Sequence, residues 1–404
     1  MYRMLEGVRI VELSTFLAAS TTGRLLAELG AEVIKVETIG GDTYRHIGPS
    51  MSCPITDGAN PAFDEHNACK KFVSLNLRSE KGMSIMHELL ATADVFLTNT
   101  RTQALKSMKL YWDDLKDKYP RLIFAHVLGY GEKGPRANTP GFDYTAFWAR
   151  GGMMRDMAPK GSYPCTNLVG VGDHAVSLGL AGTIMGSLYR REKTGRGEKL
   201  DSSLTQMSCW LNMSSLQTAF YGTDVQRDHF HPKQALTNHY MCKDGEWIFL
   251  SCTDYRRLFA KLVTEALERP DLLEDERFNT FEASLQNKVE LVEEFDKIFL
   301  TRTRDEWDEA LNRADIAHEI IQGFKDVLTD PQVRENNYLY IYEYADGTQT
   351  PVTPPPIHVG TEESYLDYEF YPAKAIGADN DEYLASLGYT SEQIAEMRAN
   401  GIVK

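Results

Sequence analysis

The amino-acid sequence predicts an α/β protein, with a large domain built on a parallel sheet and a smaller α+β domain. Two observations lead to this class. Over residues 1–130, short apolar segments rich in β-branched residues alternate with segments of helical spacing, and strands separated by helices form parallel sheets with right-handed crossovers. After residue 235 the order changes to a hairpin pattern followed by helices, which is typical of a separate α+β domain.

The elements of the first half follow from apolar periodicity and from the residues that start and stop helices. Strands are predicted at 7–13, 32–37, 72–77, 94–98, 121–128 and 199–204. Helices are predicted at 21–29, 79–93, 103–119 and 173–191, with another up to about 220. Residues 40–67 are rich in Gly, Pro, Asp and Ser, so this segment is predicted to be irregular. Because ligands bind beyond the carboxyl ends of parallel strands, pocket walls are expected at the loops beginning near Ser14, Glu37, Asn99 and Gly129.

The second half indicates a linker, a small domain and a return to the large domain. Residues 221–234 are polar and turn-like and are predicted to be the linker. The small domain is predicted at 235–322, with a hairpin at 240–252 and helices at 256–267, 287–300 and 303–312. Residues 323–404 are assigned, together with 1–220, to the large domain.

Composition excludes several classes of function. The 404 residues carry a formal net charge of −15, which disfavours an extended nucleic-acid or anionic-membrane surface, since both need clustered Lys and Arg. No apolar run is long enough to cross a bilayer, and the N-terminus resembles neither a signal nor a transit peptide, so a cytoplasmic location is expected. The six cysteines are scattered without a C-x-x-C pair, which is typical of free thiols rather than of disulfides or a zinc site.

Two glycine-rich segments match the spacing of dinucleotide-binding loops, but neither has the required context. Residues 129–134 follow a predicted strand, but Pro135 and Pro140 come next, so no helix begins there to hold a pyrophosphate. Residues 170–175 open a helix, but no strand precedes them and Asp173 would repel a pyrophosphate. A nicotinamide or flavin cofactor is therefore not expected.

The histidines give little sign of a metal or of a catalytic triad. His229, His231 and His239 lack carboxylates or thiols at ligand spacing, so no metal site is predicted. His126 lies inside a predicted strand and is interpreted as a core residue. The sequence contains no G-x-S-x-G nucleophile motif.

Asp173 admits two interpretations. It lies between a glycine-bounded loop and a long predicted helix, where Asp is a favoured N-cap. The same position would allow a substrate to approach the carboxylate closely past Gly172, with free backbone N–H groups to stabilise an oxyanion. Composition alone favours the cap.

The order of several motifs resembles family III CoA-transferases, the group that includes formyl-CoA:oxalate and carnitine CoA-transferases and α-methylacyl-CoA racemases. The matching segments are 5–14 with Ala18 and Ala19, 30–37, 67–71, 75–78, 94–99, 129–131, 172–173 and 193–199. Within the family, segments 76–82, 129–135, 141–147, 149–152 and 387–390 resemble clostridial 2-hydroxyacid CoA-transferases of the phenyllactate and 2-hydroxyisocaproate type.

This resemblance implies an enzyme that moves CoA from an acyl-CoA, such as an enoyl-CoA, to a 2-hydroxy acid, in anaerobic amino-acid fermentation. The nucleophilic aspartate of the family falls on Asp173, which would form an acyl anhydride and then a CoA thioester, with no need for a metal. Tyr144 falls near a substrate-side tyrosine. The positions matched to the CoA path are Thr15, Phe16, Ala18, Leu75, Arg78, Asn99, Thr100, Arg101, Ala104 and Lys106.

The resemblance also implies a Rossmann-like large domain and an interlocked, ring-like homodimer. Racemases of the family place a proton-abstracting histidine in the segment 141–144, but residue 142 is Phe, so racemisation is not expected. A noncatalytic acyl-CoA-binding protein is the third alternative, and the Gly172–Asp173 pair argues against it. Four residues, Phe16, Leu17, Phe147 and Trp148, suggest an apolar acyl group.

Overall fold

The computed structural model describes residues 4–222, 226–357 and 369–404. The strands are β1 (Arg9–Leu13), β2 (Glu32–Glu37), β3 (Lys71–Ser74), β4 (Val95–Thr98), β5 (Ile123–Leu128), β6 (Lys199–Ser203), β7 (Thr237–Met241), β8 (Trp247–Ser251), β9 (His318–Ile320), β10 (Tyr340–Glu343) and β11 (Gln349–Val352). The first nine helices are α1 (Ala18–Glu28), α2 (Pro61–Asn67), α3 (Glu80–Ala91), α4 (Thr102–Ser107), α5 (Trp112–Leu115), α6 (Met153–Asp156), α7 (Val171–Thr194), α8 (Leu204–Leu211) and α9 (Met213–Phe220).

The later helices are shorter on average. They are α10 (Tyr255–Lys261), α11 (Phe281–Gln286), α12 (Lys288–Phe299), α13 (Arg304–Arg313), α14 (Phe324–Val327), α15 (Pro331–Glu335), α16 (Asn380–Ser386) and α17 (Ser391–Ala399). Short π-helical turns cover Asp143–Ala149 and Leu262–Ala266.

The chain divides into two compact units. The first consists of residues 1–153, 167–216 and 331–404, and the second of 154–166 and 217–330. The predicted boundaries differ from this division mainly at 154–166, which belongs to the second unit. The linker predicted at 221–234 also falls within the second unit, and its residues 223–225 lie outside the described residues.

The first unit contains the predicted parallel sheet. Its strand order is β3-β2-β1-β4-β5-β6, and every neighbouring pair is parallel. The apolar residues that predicted these strands are almost completely buried, as expected for a sheet covered by helices on its faces. Because all six strands point the same way, the loops after β1, β2, β4 and β5 meet at one edge.

Two predicted segments differ from the structure. Residues 61–67 form α2 instead of an irregular loop, because Asn60 accepts a hydrogen bond from the backbone N–H of Phe63 and Pro61 occupies the first turn. The helix predicted at 103–119 is broken between α4 and α5, where Lys109 has a φ of 58°. A left-handed residue cannot continue a right-handed helix.

The second unit is an α+β unit with its own core. The predicted hairpin is formed by β7 and β8, and β9 adds a third antiparallel strand. Tyr240 and Phe299 stack at 4.9 Å inside this core, and the indole N–H of the buried Trp307 donates to the carbonyl of Phe299 at 2.8 Å. Among the described residues, no helix combines the length and apolarity that crossing a membrane requires.

Candidate active site

A cavity of about 680 Å³ lies at the carboxyl ends of the parallel strands, within the first unit. Four loops line it, those that follow β1, β2, β4 and β5, so the walls predicted from the sequence are confirmed. A fifth segment, the start of α7 with the residues just before it, closes one side and brings Asp173 into the cavity wall. This volume is typical of small-molecule sites.

Asp173 lies inside the first turn of α7 and does not cap it. The helix begins at Val171, and its N-cap is Gly170, with a φ of 75°. The N-cap interpretation of Asp173 is therefore wrong, because the cap position falls three residues earlier in the chain. The location in the first turn still favours a negative charge through the helix dipole.

A second carboxylate, Asp143, binds the backbone ahead of α7. It accepts hydrogen bonds from the backbone N–H groups of Gly170 and Gly172 at 3.1 and 2.8 Å. These two amides at the start of α7 are therefore not free to stabilise an oxyanion. Asp143 is 4% exposed, so it holds this turn from inside the protein.

Gly172 is required by the close packing beside Asp173. A Cβ at this position would lie 2.3 Å from Cγ of Phe147 and 2.4 Å from Oδ1 of Asp143. Any side chain would therefore push Asp143 or Phe147 away and move the start of α7. The glycine that the sequence places before Asp173 is explained by this contact.

Burial raises the pKa of both carboxylates, and the charge of Asp143 adds to the shift at Asp173. Burial, and secondarily the charge of Asp143, raises the pKa of Asp173 to about 7. Burial also raises the pKa of Asp143, although the amides of Gly172 and Gly170 oppose the shift. Asp173 is thus a more basic carboxylate than an exposed one, and it is present in both protonation states near neutral pH.

The loop after β1 is held against the site from both sides. Asn99 accepts from the backbone N–H of Thr15 at 3.1 Å and donates to its carbonyl at 2.6 Å. The backbone N–H of Phe16 donates to Asp42 at 3.3 Å, and Phe16 has a φ of 60°, which is uncommon outside glycine. At the far end of the loop, the hydroxyl of Ser177 in α7 donates to the carbonyl of Ala18 at 2.6 Å.

A buried ionic cluster lies under this loop. Lys35 lies 3.1 Å from both Glu12 and Asp42, and Lys70 lies 2.8 Å from Glu12. All four side chains are buried. Burial alone would raise the pKa of Glu12, but Lys70 and Lys35 outweigh it and lower that pKa. Burial lowers the pKa of Lys70 to about 8 although Glu12 opposes the shift.

Seven of the residues matched to substrate and CoA line the same cavity as Asp173. They are Thr15, Phe16, Ala18, Asn99, Thr100, Arg101 and Tyr144. Four others, Leu75, Arg78, Ala104 and Lys106, are absent from its lining. The side chain of Leu75 is 1% exposed and belongs to the core of the first unit, so it cannot touch a ligand. The ammonium of Lys106 lies 4.9 Å from the ring centre of Tyr111.

Only some of the apolar residues expected to contact the acyl group line the cavity. Phe16 and Leu17 line the cavity. Phe147 and Trp148 are 0% and 5% exposed and lie outside the lining, because the π-helical turn directs them into the protein. Phe142 lines the cavity instead, and the sequence reasoning did not assign it this position.

Two histidines outside the cavity, His126 and His229, have structural partners. Nε2 of His126, buried in β5, lies 2.8 Å from the carbonyl of Thr100, so it supports a cavity loop. His229 pairs with Asp296 at 3.0 Å. One ring nitrogen each of His66 and His174 and a carboxylate oxygen of Glu65 all lie within 4.8 Å of one another. The ring centres of His66 and His174 lie 5.3 Å apart in a stacked arrangement, and Nδ1 of His66 lies 3.0 Å from the hydroxyl of Thr21. We assign no metal to this group.

Comparison with known proteins agrees with this geometry. A model of CoA-transferase family III matches residues 5–378, and the chain belongs to this family. It is therefore a CoA-transferase, whose substrates are a CoA thioester and a carboxylic acid. The recognised family is confirmed, as is the α/β fold.

Two similar proteins are clostridial enzymes. The chain is 38% identical to (R)-2-hydroxy-4-methylpentanoate CoA-transferase of Clostridioides difficile, over 99% of this chain and 100% of that protein. It is also 38% identical to cinnamoyl-CoA:phenyllactate CoA-transferase of Clostridium sporogenes, over 98% and 96%. A CAIB/BAIF family protein from Brucella suis has a similar structure, with a TM-score of 0.79, 27% identity and coverage of 95% of this chain and 99% of that one.

Proposed function

We propose that the protein transfers CoA from an acyl-CoA, such as an enoyl-CoA, to a 2-hydroxy carboxylic acid, with Asp173 as the nucleophile. The observation that carries this proposal is the carboxylate of Asp173 in the wall of the cavity, with its pKa raised to about 7. The names of the two clostridial relatives, which act on 2-hydroxy acids, support the acceptor class. A role in anaerobic amino-acid fermentation belongs to the same proposal.

The first half of the reaction replaces one Cγ–O bond of Asp173 by a Cγ–S bond, with that oxygen leaving in the released acid, and the second half reverses this exchange. One oxygen of Asp173 attacks the thioester carbonyl, the C–S bond breaks, and an acyl-aspartyl anhydride and a thiolate result. The thiolate then attacks the Asp173 carbonyl, which releases the first acid and leaves an aspartyl thioester. The acceptor carboxylate attacks that thioester and reverses the sequence, so the acceptor leaves as its CoA ester and Asp173 regains an oxygen from the acceptor.

The surrounding residues supply binding and positioning. We assign the CoA path to the loop after β4 and the adjoining backbone at Thr15, which Asn99 fixes, with Arg101 as a cation for phosphate; the Phe16 side chain is left to face the acid. Contacts of Arg78 and Lys106 with the nucleotide, the interlocked homodimer and the cytoplasmic location belong to the proposal as well. Racemisation is disfavoured because Phe142 has no proton-accepting group.

Isotope transfer tests the nucleophile directly. After turnover with a 2-hydroxy acid labelled with ¹⁸O in its carboxylate, peptide mass spectrometry is expected to find the label in Asp173. Borohydride added during turnover is expected to convert Asp173 to homoserine, because a thioester is reduced more readily than a carboxylate. Asp156→Asn, outside the cavity lining, is the matched control and is expected to leave labelling of Asp173 unchanged.

Asp173→Ala is expected to abolish transfer while CoA still binds, and calorimetry measures that binding. Undiminished turnover of Asp173→Ala refutes the mechanism. Turnover of the unaltered enzyme without ¹⁸O label in Asp173 refutes it as well. Loss of binding together with transfer would point to misfolding, which circular dichroism distinguishes.

A further inference from the structure

The cavity around Asp173 has two chemically different sides. The residues after β4 that line it are polar or charged, and they are Asn99, Thr100, Arg101 and Thr102. Another part of the lining is largely apolar and comes from the loops after β1, β2 and β5, with Phe16, Leu17, Ile47, Met51 and Phe142. A ligand with a polar carrier and an apolar acyl group matches this division.

Phe16 and Phe142 form the most exposed aromatic contact of the apolar side. Their ring centres lie 5.5 Å apart at an interplanar angle of 72°, an edge-to-face arrangement. Phe142 is 52% exposed, so much of its ring remains free to contact a ligand. Phe16 in turn lies 5.9 Å from Tyr44, which is 3% exposed.

The support behind this pair is rigid. Phe16, Ile47 and Met51 pack against a buried cluster of Leu17, Tyr44, Phe63 and Phe72. The backbone of Phe16 is tied to Asp42, a member of the buried ionic cluster. Phe16 is therefore held in place before any substrate binds, which reduces the entropy lost on binding.

The charges near this side are negative. Asp143 and Asp173 both line the cavity, and Arg101 is the only Lys or Arg among the described lining residues and belongs to the polar side. A second carboxylate on the acceptor acid would lose its water near the carboxylate of Asp143, with no cation on the apolar side to compensate. An apolar side chain of the same size would instead gain contacts with Phe16 and Phe142.

We propose that Phe16 and Phe142 determine the acid specificity of the enzyme. They select a 2-hydroxy acid with an aromatic or branched apolar side chain and reject one with a second carboxylate. This inference rests on the proposed function, and it adds the residues that set the choice among acids.

Competition between acceptors tests the pair without interference from the donor. Equimolar 3-phenyllactate, lactate and malate are supplied with one acyl-CoA donor, and the three product CoA esters are quantified by mass spectrometry. The three acceptors compete for the same thioester form of the enzyme. An effect of a variant on the reaction with the donor therefore changes all three products equally and leaves their ratios unchanged. The unaltered enzyme is expected to favour phenyllactyl over lactyl ester by roughly tenfold or more, and to form least malyl ester.

Substitutions at residue 142 are expected to change these ratios. Phe142→Ala lowers the phenyllactyl-to-lactyl ratio roughly tenfold, and Phe142→Leu restores part of it, because Leu replaces part of the lost apolar contact. Phe142→Arg increases the share of malyl ester by supplying the missing cation. Tyr163→Ala is the control, since Tyr163 is 93% exposed and absent from the cavity lining, and it leaves every ratio unchanged.

The possible failures are distinguishable. Equal product ratios in the unaltered enzyme, or a ratio unaffected by Phe142→Ala, overturn the specificity proposal while ¹⁸O labelling of Asp173 still supports the proposed function. If no 2-hydroxy acid receives CoA although another carboxylic acid does, the proposed function itself fails.

Discussion

Two groups of buried charges lie within one unit of the protein and behave in opposite ways. The paired cluster, Glu12 with Lys35, Lys70 and Asp42, places cations within 3.1 Å of its carboxylates. The carboxylate pair, Asp143 with Asp173, places two like charges near one another. The pKa of Glu12 is lowered, whereas that of Asp173 is raised to about 7.

The paired cluster supports the fold, whereas the carboxylate pair contains the proposed reactive group. In the paired cluster the charges satisfy one another and fix the loop that carries Phe16. In the carboxylate pair, Asp143 accepts hydrogen bonds from the amides of Gly170 and Gly172. No cation lowers the pKa of Asp173, which burial and the charge of Asp143 both raise. Such a group is costly for folding and suited to react.

Breaking the paired cluster is expected to have the largest effect. Glu12→Gln leaves two buried lysines with one fewer carboxylate, and we expect the free energy of unfolding to fall by about 3–5 kcal/mol. Urea denaturation measures the change. Glu282→Gln is the matched control, because Glu282 pairs with Arg256 at 3.0 Å in an exposed position and its loss should not alter the denaturation midpoint. Equal effects at the two sites would contradict the comparison.

Removing the charge of Asp173 is expected to stabilise the protein. The pKa of Asp173 is about 7 in the folded chain and about 3.9 in the unfolded chain, so ionisation favours unfolding. Stability of the unaltered protein therefore falls as pH rises from about 4 to about 7 through this group. Asp173→Asn is expected to gain up to about 4 kcal/mol at pH 8, with no gain below pH 4. A destabilised variant at pH 8 would show that the carboxylate has a stabilising partner.

The smallest expected effect is a shift in the pH dependence of the reaction. Because Asp173 must be ionised to attack, kcat/KM should rise with pH through an ionisation near pH 7. Asp143→Asn removes the like charge and should move this ionisation to lower pH, although burial, the larger cause, keeps it above the usual carboxylate value. If the pH profile of Asp143→Asn equals that of the unaltered enzyme, burial alone raises the pKa of Asp173. Asp143→Ala also removes the acceptor of the two glycine amides and should lower the rate further.

Local patterns were sufficient for much of the fold. The apolar segments predicted all six parallel strands. The helix predicted from residue 79 is α3, which Ser79 caps by accepting from the backbone N–H of Gly82, and the predicted hairpin is formed by β7 and β8. The same reasoning missed α2, because composition rich in Gly and Pro concealed the cap at Asn60. It also extended α4 too far, because no residue type announces the left-handed Lys109.

The candidate site was only partly predictable. Gly172 and Asp173 are adjacent in the chain, so a motif could identify them. Asp143 precedes Gly172 by 29 residues, and no spacing or periodicity links the two. Leu75 matched a family motif, yet its side chain belongs to the core, and a motif does not show which way a side chain faces.

By itself, the sequence determined the parallel α/β framework, the loops that carry the cavity and the identity of the candidate nucleophile, because these depend on residues close together in the chain. Only the tertiary structure decided that Asp143 accepts from the amides of Gly170 and Gly172 at the start of α7, and that Phe142 faces the cavity while Phe147 does not. It also decided the raised pKa of Asp173. Burial and the approach of distant charges set these properties, and both exist only once the chain has folded.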